Sequence, residues 1–196
     1  MATFRKAHFY AVLLAVAATM LPALAGAQTT SPSAPTAAPT YRDGQHDFDF
    51  NIGTWHTHIM TLQHPFSGSK TWAELNGTVT VRKIWGGKAS MEEIDASGPS
   101  KHLAGLTLFL YNPQSHQWSQ TFASTSDGTL ETPAIGEFKD GRGELIDQES
   151  YNGRTVLVRD QWSDIKPNSH HFEIAMSDDN GKTWETNFVA NLTRIQ

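Results

Sequence analysis

From Phe48 onward, side-chain character alternates with a period of two, and no stretch of ten residues sustains the 3.6-residue stripe of a helix. Trp55, Thr57 and Ile59 form one such series, followed by Trp118, Gln120 and Phe122, then Phe172, Ile174 and Met176, then Trp184, Thr186 and Phe188. Alternation of this kind sends one set of side chains to each face of a strand. Between the series stand pairs that favour tight turns: Gly86-Gly87, Asn112-Pro113, Asp127-Gly128, Asp140-Gly141, Asn152-Gly153 and Asn180-Gly181. Their spacing predicts strands at about 54–62, 71–82, 88–95, 103–111, 117–125, 132–139, 143–150, 154–163, 169–177 and 183–194. A meander of that many strands leaves two unpaired edges unless it closes on itself. The expected fold class is therefore all-β: a single antiparallel up-and-down β-barrel of roughly eight to ten strands. With no cysteine in the chain, stability must come from burial in one core, without disulfides.

Residues 1–27 have the pattern of a signal peptide. Arg5 and Lys6 precede an apolar run from Phe9 to Leu24, and Ala25-Gly26-Ala27 is the small-x-small sequence that signal peptidase cuts. Thr19 and Pro22 interrupt the run, which falls short of the ~20 residues needed to cross a bilayer. The expectation is cleavage near Ala27, no stable membrane span afterwards, and export to a periplasmic or secreted destination. Residues 28–45, rich in Ser, Thr, Pro and Ala, are expected to be a disordered linker, and residues 46–196 the barrel domain. The formal charge is −5, and loss of Arg5 and Lys6 makes the mature chain more acidic still. Nucleic acid and anionic membrane both call for a basic face, so neither is expected as a partner.

The segment Phe48 to Trp55, FDFNIGTW, sets Gly53 two residues before Trp55 at the head of the first strand. It resembles the opening motif of the lipocalin and fatty-acid-binding superfamily, the calycins. That resemblance implies that Trp55 plugs the closed end of the barrel and that Arg194, near the end of the last strand, packs across its ring, both in structural roles. Over nearly the whole mature domain the chain also resembles the uncharacterised DUF1579-type family. The likeness rests on FDFxxGxW, on GLTLFLYNP with HQWSQTF (Gly105–Pro113, His116–Phe122) and on SDDNGKTWE (Ser177–Glu185). It implies a fold and almost no chemistry, and members often carry tryptophan where this chain has Asn51 and Phe122, which changes the expected pocket wall. SDDNGKTW also fits the Asp-box pattern through Ser177, Asp179, Gly181, Thr183 and Trp184. One copy is too few for a propeller, which needs about four to eight blades, so Asp179 and Gly181 are expected to shape a hairpin turn.

The candidate ligand site is the inner wall. If the turn at Asn112-Pro113 pairs Thr107, Phe109 and Tyr111 with Trp118, Gln120 and Phe122, one face offers four aromatics, an amide and a hydroxyl. A pocket needs that mixture of apolar area and orienting polar groups; the competing reading is a filled core in which Gln120 merely satisfies a neighbour. Arg159 and Trp162 point to opposite faces, and Arg159 is assigned inward, where it would suit an anionic head group. Glu92, Glu93 and Asp95 sit on one strand, where Glu93 and Asp95 share a face; these two are weighed as an acid/base pair and assigned instead to a solvated outer face. His56 and His58 share a face and could form half of a metal site, but alternation with Trp55 turns them outward. Of His170 and His171 at most one can line the lumen; His171 or His102 could mimic the single haem ligand of nitrobindin-related barrels. No cofactor is expected, with haem or a metal as the minor alternative.

No Gly-x-Ser-x-Gly, cysteine nucleophile or phosphate loop is present, so no catalytic residue is assigned. The expected function is binding of a small hydrophobic or amphipathic molecule without turnover. One rival is a cavity-based isomerase, cyclase or hydratase, which a buried cavity group with a shifted pKa would betray. The other is an envelope interaction module without a ligand, for which an exposed apolar patch would speak.

Overall fold

The computed structural model describes residues 42–195; the expected signal peptide and most of the expected linker lie outside the described residues. Ten strands follow one another: β1 (Gly53–Leu62), β2 (Trp72–Ile84), β3 (Ala89–Ser97), β4 (His102–Asn112), β5 (Gln117–Ser124), β6 (Ala134–Lys139), β7 (Arg142–Tyr151), β8 (Arg154–Lys166), β9 (Ser169–Ser177) and β10 (Glu185–Arg194). Each pairs antiparallel with its sequence neighbours, and β10 returns to β1, so the sheet is a closed up-and-down barrel. Four of the turn pairs, Gly86-Gly87, Asp140-Gly141, Asn152-Gly153 and Asn180-Gly181, have positive φ at both residues; in the two-residue turns at 140–141 and 152–153 this is the geometry whose twist matches a hairpin. Among the described residues no helix is long and apolar enough to cross a membrane.

One end of the barrel is sealed by the segment that enters β1. A short 3-10 turn, Asp49–Asn51, crosses this end, and Phe48 inserts among Phe109, Trp118, Phe138 and Trp162 with ring centroids 4.8, 5.0, 4.8 and 4.9 Å away. Trp55 is fully buried, and its indole N–H donates to the Asn51 carbonyl at 2.8 Å. The Arg194 guanidinium lies 3.9 Å from the Trp55 ring centre and donates to the carbonyls of Ile52 (2.8 Å), Phe50 (3.0 Å) and Pro167 (2.9 Å). Gly53 has φ +132°, and a Cβ there would collide with Arg194 Nη1. The glycine two residues before the tryptophan is thus the space into which the arginine fits.

The last residues of the expected linker reach the barrel: the Arg42 guanidinium donates to the Phe138 carbonyl at 3.1 Å, the Gly44 N–H donates to the Tyr111 hydroxyl at 3.1 Å, and the Gly44 carbonyl accepts the Trp118 indole N–H at 2.8 Å. Buried Tyr and Trp polar atoms need partners, and this segment supplies them. Gly181 has φ +80° in the Asp-box turn. There Asp179 Oδ1 accepts the N–H groups of Lys182 (3.0 Å) and Thr183 (2.9 Å), and Asp179 Oδ2 accepts the Thr183 hydroxyl at 2.7 Å. Those donors hold the Asp179 carboxyl at about 2, well below its ordinary range.

Candidate ligand-binding lumen

Inward positions along the ten strands enclose a cavity of about 350 Å³, toward the small end of the range for small-molecule sites. The exposed residues Lys101, Glu131 and Thr132 stand at its rim, opposite the sealed end. Register explains its lining. Thr107 pairs with Phe122 and Phe109 with Gln120 across β4 and β5, and all four line the cavity. Tyr111 and Trp118, the third pair, lie too deep: they stack on each other at 5.4 Å, and Trp118 packs against Phe48 in the sealed end. The aromatic wall is therefore part pocket and part plug.

Arg159 is a second correction. It lies on the outer face of β8, 4.5 Å over the ring of Trp184, with Glu173 at 3.9 Å. Val158, Asp160 and Trp162 take the inward positions of β8, because a strand that buries Trp162 against Phe48 and Phe172 must turn its odd-numbered neighbours outward. The head-group chemistry assigned to Arg159 goes with it. In Arg159→Ala we expect an unchanged ligand affinity, within about twofold, and a stability loss of about 1 kcal/mol from the stacked guanidinium; ligand titration and denaturant unfolding read the two separately.

The carboxylates of β3 divide between the two faces of the strand. Glu93 and Asp95 do face out, where they meet Arg82 and His102. Glu92 instead enters the lumen, its Oε2 accepting the Asn51 side-chain N–H at 3.1 Å. The Glu92 carboxyl is raised by burial, an effect that hydrogen bonds from Asn51 and Thr107 partly offset. Opposite it in the ring of strands, Asp160 is 6% exposed and raised far above a normal carboxyl by burial and then by the charges of Asp147, Glu149 and Glu131. Asp147 is raised to about 7 by burial, with Glu149 and Glu131 adding to it. Burial likewise raises Glu131 and Glu149. All five line the cavity.

His170 is the inward member of its pair, buried with its ring 4.6 Å from that of Trp55 and held neutral, its pKa pushed down to about 4 by burial, by Arg194 and by His171. His171 faces out to Asn191 at 2.9 Å, and His102 is exposed beside Asp95 at 3.0 Å, so neither haem candidate reaches the lumen. His56 is exposed, and His58 lies 3.5 Å from Glu74 on the outside. Among the described residues no three His, Asp or Glu side chains converge as a metal ion requires.

The local pattern gave no sign of the lumen carboxylates, but strand parity could have. Once Trp162 is inward Asp160 must be, and once Leu145 is core Asp147 and Glu149 follow at every second residue.

No family model matches the chain, and no curated protein matches it. Among solved structures it is similar to the S-type phycobiliprotein lyase CPES from Guillardia theta, with 12% identity over 79% of this chain and 94% of that chain and a TM-score of 0.53. The fold is calycin-like. At that identity the likeness is one of architecture, and it agrees with the barrel's own topology: closed, antiparallel, up-and-down, and plugged at one end by the segment leading into β1.

Proposed function

We propose that this protein, exported by way of residues 1–27 and related to the DUF1579-type family, binds a small amphipathic molecule inside its barrel. The observation that carries the reading is the lumen itself. It is walled in part by apolar groups such as Ile94, Leu103, Phe172 and Phe188, and it also presents Thr57 Oγ1, Asn51 Oδ1 and Gln120 Oε1, buried atoms without a protein partner. Buried polar atoms left in that state cost about 1–3 kcal/mol each, a cost that a bound molecule would recover.

Titration with a neutral solvatochromic dye such as Nile red tests it. We expect one dye per barrel, and loss of binding in Ala190→Phe, which fills the lumen; circular dichroism checks that this variant folds. Equal binding by the filled variant would place the dye elsewhere and sink the proposal.

A second reading has its own support. Glu92 is a half-buried, hydrogen-bonded carboxyl in the cavity wall whose pKa is raised by burial, a placement suited to a general acid in an isomerase or hydratase. Glu92→Gln separates the two readings: a binder keeps its ligand unaltered, whereas an enzyme of this kind keeps binding but loses turnover.

A further inference from the structure

The titratable groups around the lumen are nearly all acidic. Five carboxyl groups line it, Glu92 from β3, Glu131 from the connection between β5 and β6, Asp147 and Glu149 from β7, and Asp160 from β8. Against them stand Lys101, at the exposed rim between β3 and β4, and His170 from β9, which burial keeps neutral. The outward Arg159 leaves the lumen without an internal cation.

The buried atoms that lack a partner point the same way. Thr57, Asn51 and His170 are 0%, 2% and 4% exposed, all line the cavity, and Thr57 Oγ1, Asn51 Oδ1 and His170 Nδ1 have no hydrogen-bond partner in the protein. Gln120 Oε1 and Asp147 Oδ1 share that condition. Two of these five atoms, Asn51 Oδ1 and Gln120 Oε1, are amide oxygens that can only accept, and Asp147 Oδ1 accepts whenever its carboxyl is ionised. What such a lining lacks is donors and positive charge. A metal ion would bring the charge, but among the described residues no three ligating groups converge; an organic cation spreads its N–H donors over several ångströms and does not need them to. The rings of Phe122, Trp162 and Phe172 in the same wall would add to its attraction, since aromatic faces draw cations.

We propose that the molecule held in the lumen is an organic cation, an apolar body carrying an ammonium, amidinium or guanidinium head that lies against Asp147 and Asp160. This rests on the lumen being a binding site, and it reverses the anionic head group that an inward Arg159 would have implied.

Three probes of one shape decide it: phenylbutylammonium, phenylbutanol and phenylbutyrate, titrated into the full-length purified protein by calorimetry. The ammonium is expected to bind at least about tenfold tighter than the alcohol, and the alcohol tighter than the carboxylate. Its affinity rises from about pH 5 to about pH 8, because the lumen carboxyls must give up protons to meet it, and proton release on binding grows with the buffer-dependent heat. Asp147→Asn and Asp160→Asn each lower ammonium affinity about tenfold or more and leave the alcohol nearly unchanged. Both variants remove an ionisable group from a crowded site, and retention of the native circular dichroism confirms that they fold.

Alcohol or carboxylate binding as tight as ammonium would overturn the cation while leaving the binding lumen intact. Failure of all three probes, with Nile red also excluded from the lumen, would remove the binding reading and the cation together.

Discussion

Trp55→Ala is expected to lower unfolding free energy by about 4 kcal/mol, and Arg194→Ala by about 2 kcal/mol. The indole is fully buried in the cluster that includes Ile59, Leu75, Val79 and Leu192, so its loss opens a cavity that the strands around it cannot collapse to fill. The arginine serves three carbonyls, those of Phe50, Ile52 and Pro167, and so ties the plug segment and the connection from β8 to β9 to the end of β10. Arg194→Lys should recover little of the loss, since one ammonium cannot reproduce a planar fork across an indole face and three acceptors. The two side chains are in contact, so the double variant should fall short of the sum by at least about 0.5 kcal/mol. Urea unfolding monitored by tryptophan fluorescence and by circular dichroism reads all four variants; strict additivity would show that the stacked pair is not an energetic unit.

The second large effect concerns pH. The lumen carboxyls have folded pKa values above their unfolded ones, so the folded protein holds protons that the unfolded chain releases. Their contribution to stability is complete below the ordinary carboxyl range and is lost as pH rises toward the raised values. For Asp147 that window runs from 3.8 to about 7; for Asp160 it begins at 3.8 and extends well above it. His170 works against this at lower pH. Its folded value, about 4 against 6.5, gives stability that is present above 6.5 and lost as pH falls toward 4. The carboxyl effect is therefore seen cleanly above about pH 6.5, where stability should decline as pH rises. Asp160→Asn keeps the side-chain shape and removes the ionisation, so it should flatten that decline and raise stability by about 2 kcal/mol near pH 8. Thermal unfolding over a pH series measures both. A wild-type protein whose stability is flat or rises above that pH would show that Asp160 is not held protonated.

A stabilising Asp160→Asn would also bear on why the aspartate is there. A carboxyl that weakens the fold at neutral pH and sits in the wall of a cavity resembles other functional groups whose pKa is displaced by burial and like charge. Coupled with weaker ammonium binding in the same variant, the two measurements would describe one residue from the side of stability and from the side of recognition.

Most of the architecture was legible along the chain because it is a matter of period and punctuation. Alternation from Trp55, Trp118 and Phe172 placed the strands, and the Asp140-Gly141 and Asn152-Gly153 pairs marked turns that only residues tolerant of positive φ can make. The largest departure is β8, which continues to Lys166 through an irregularity in its pairing with β9. A sequence with ten such strands has little choice but to close, since an open sheet would leave its edges unpaired.

What faces the lumen was decided by the tertiary structure. Alternation fixes which residues share a face but not which face is inside, and in β3 and β7 both faces carry acidic groups, Glu92 against Glu93 and Glu149 against Glu144. Glu92 turns inward because Asn51, from the plug segment, and Thr107, from β4, stand ready to hydrogen-bond it. Arg159 turns outward because Trp162 is claimed by Phe48 and Phe172, and because Trp184 of the Asp-box turn offers the guanidinium a ring on the outside. Strand identity is local chemistry, which the chain states for itself. The sign of charge inside the barrel depends on partners brought together only when the sheet closes.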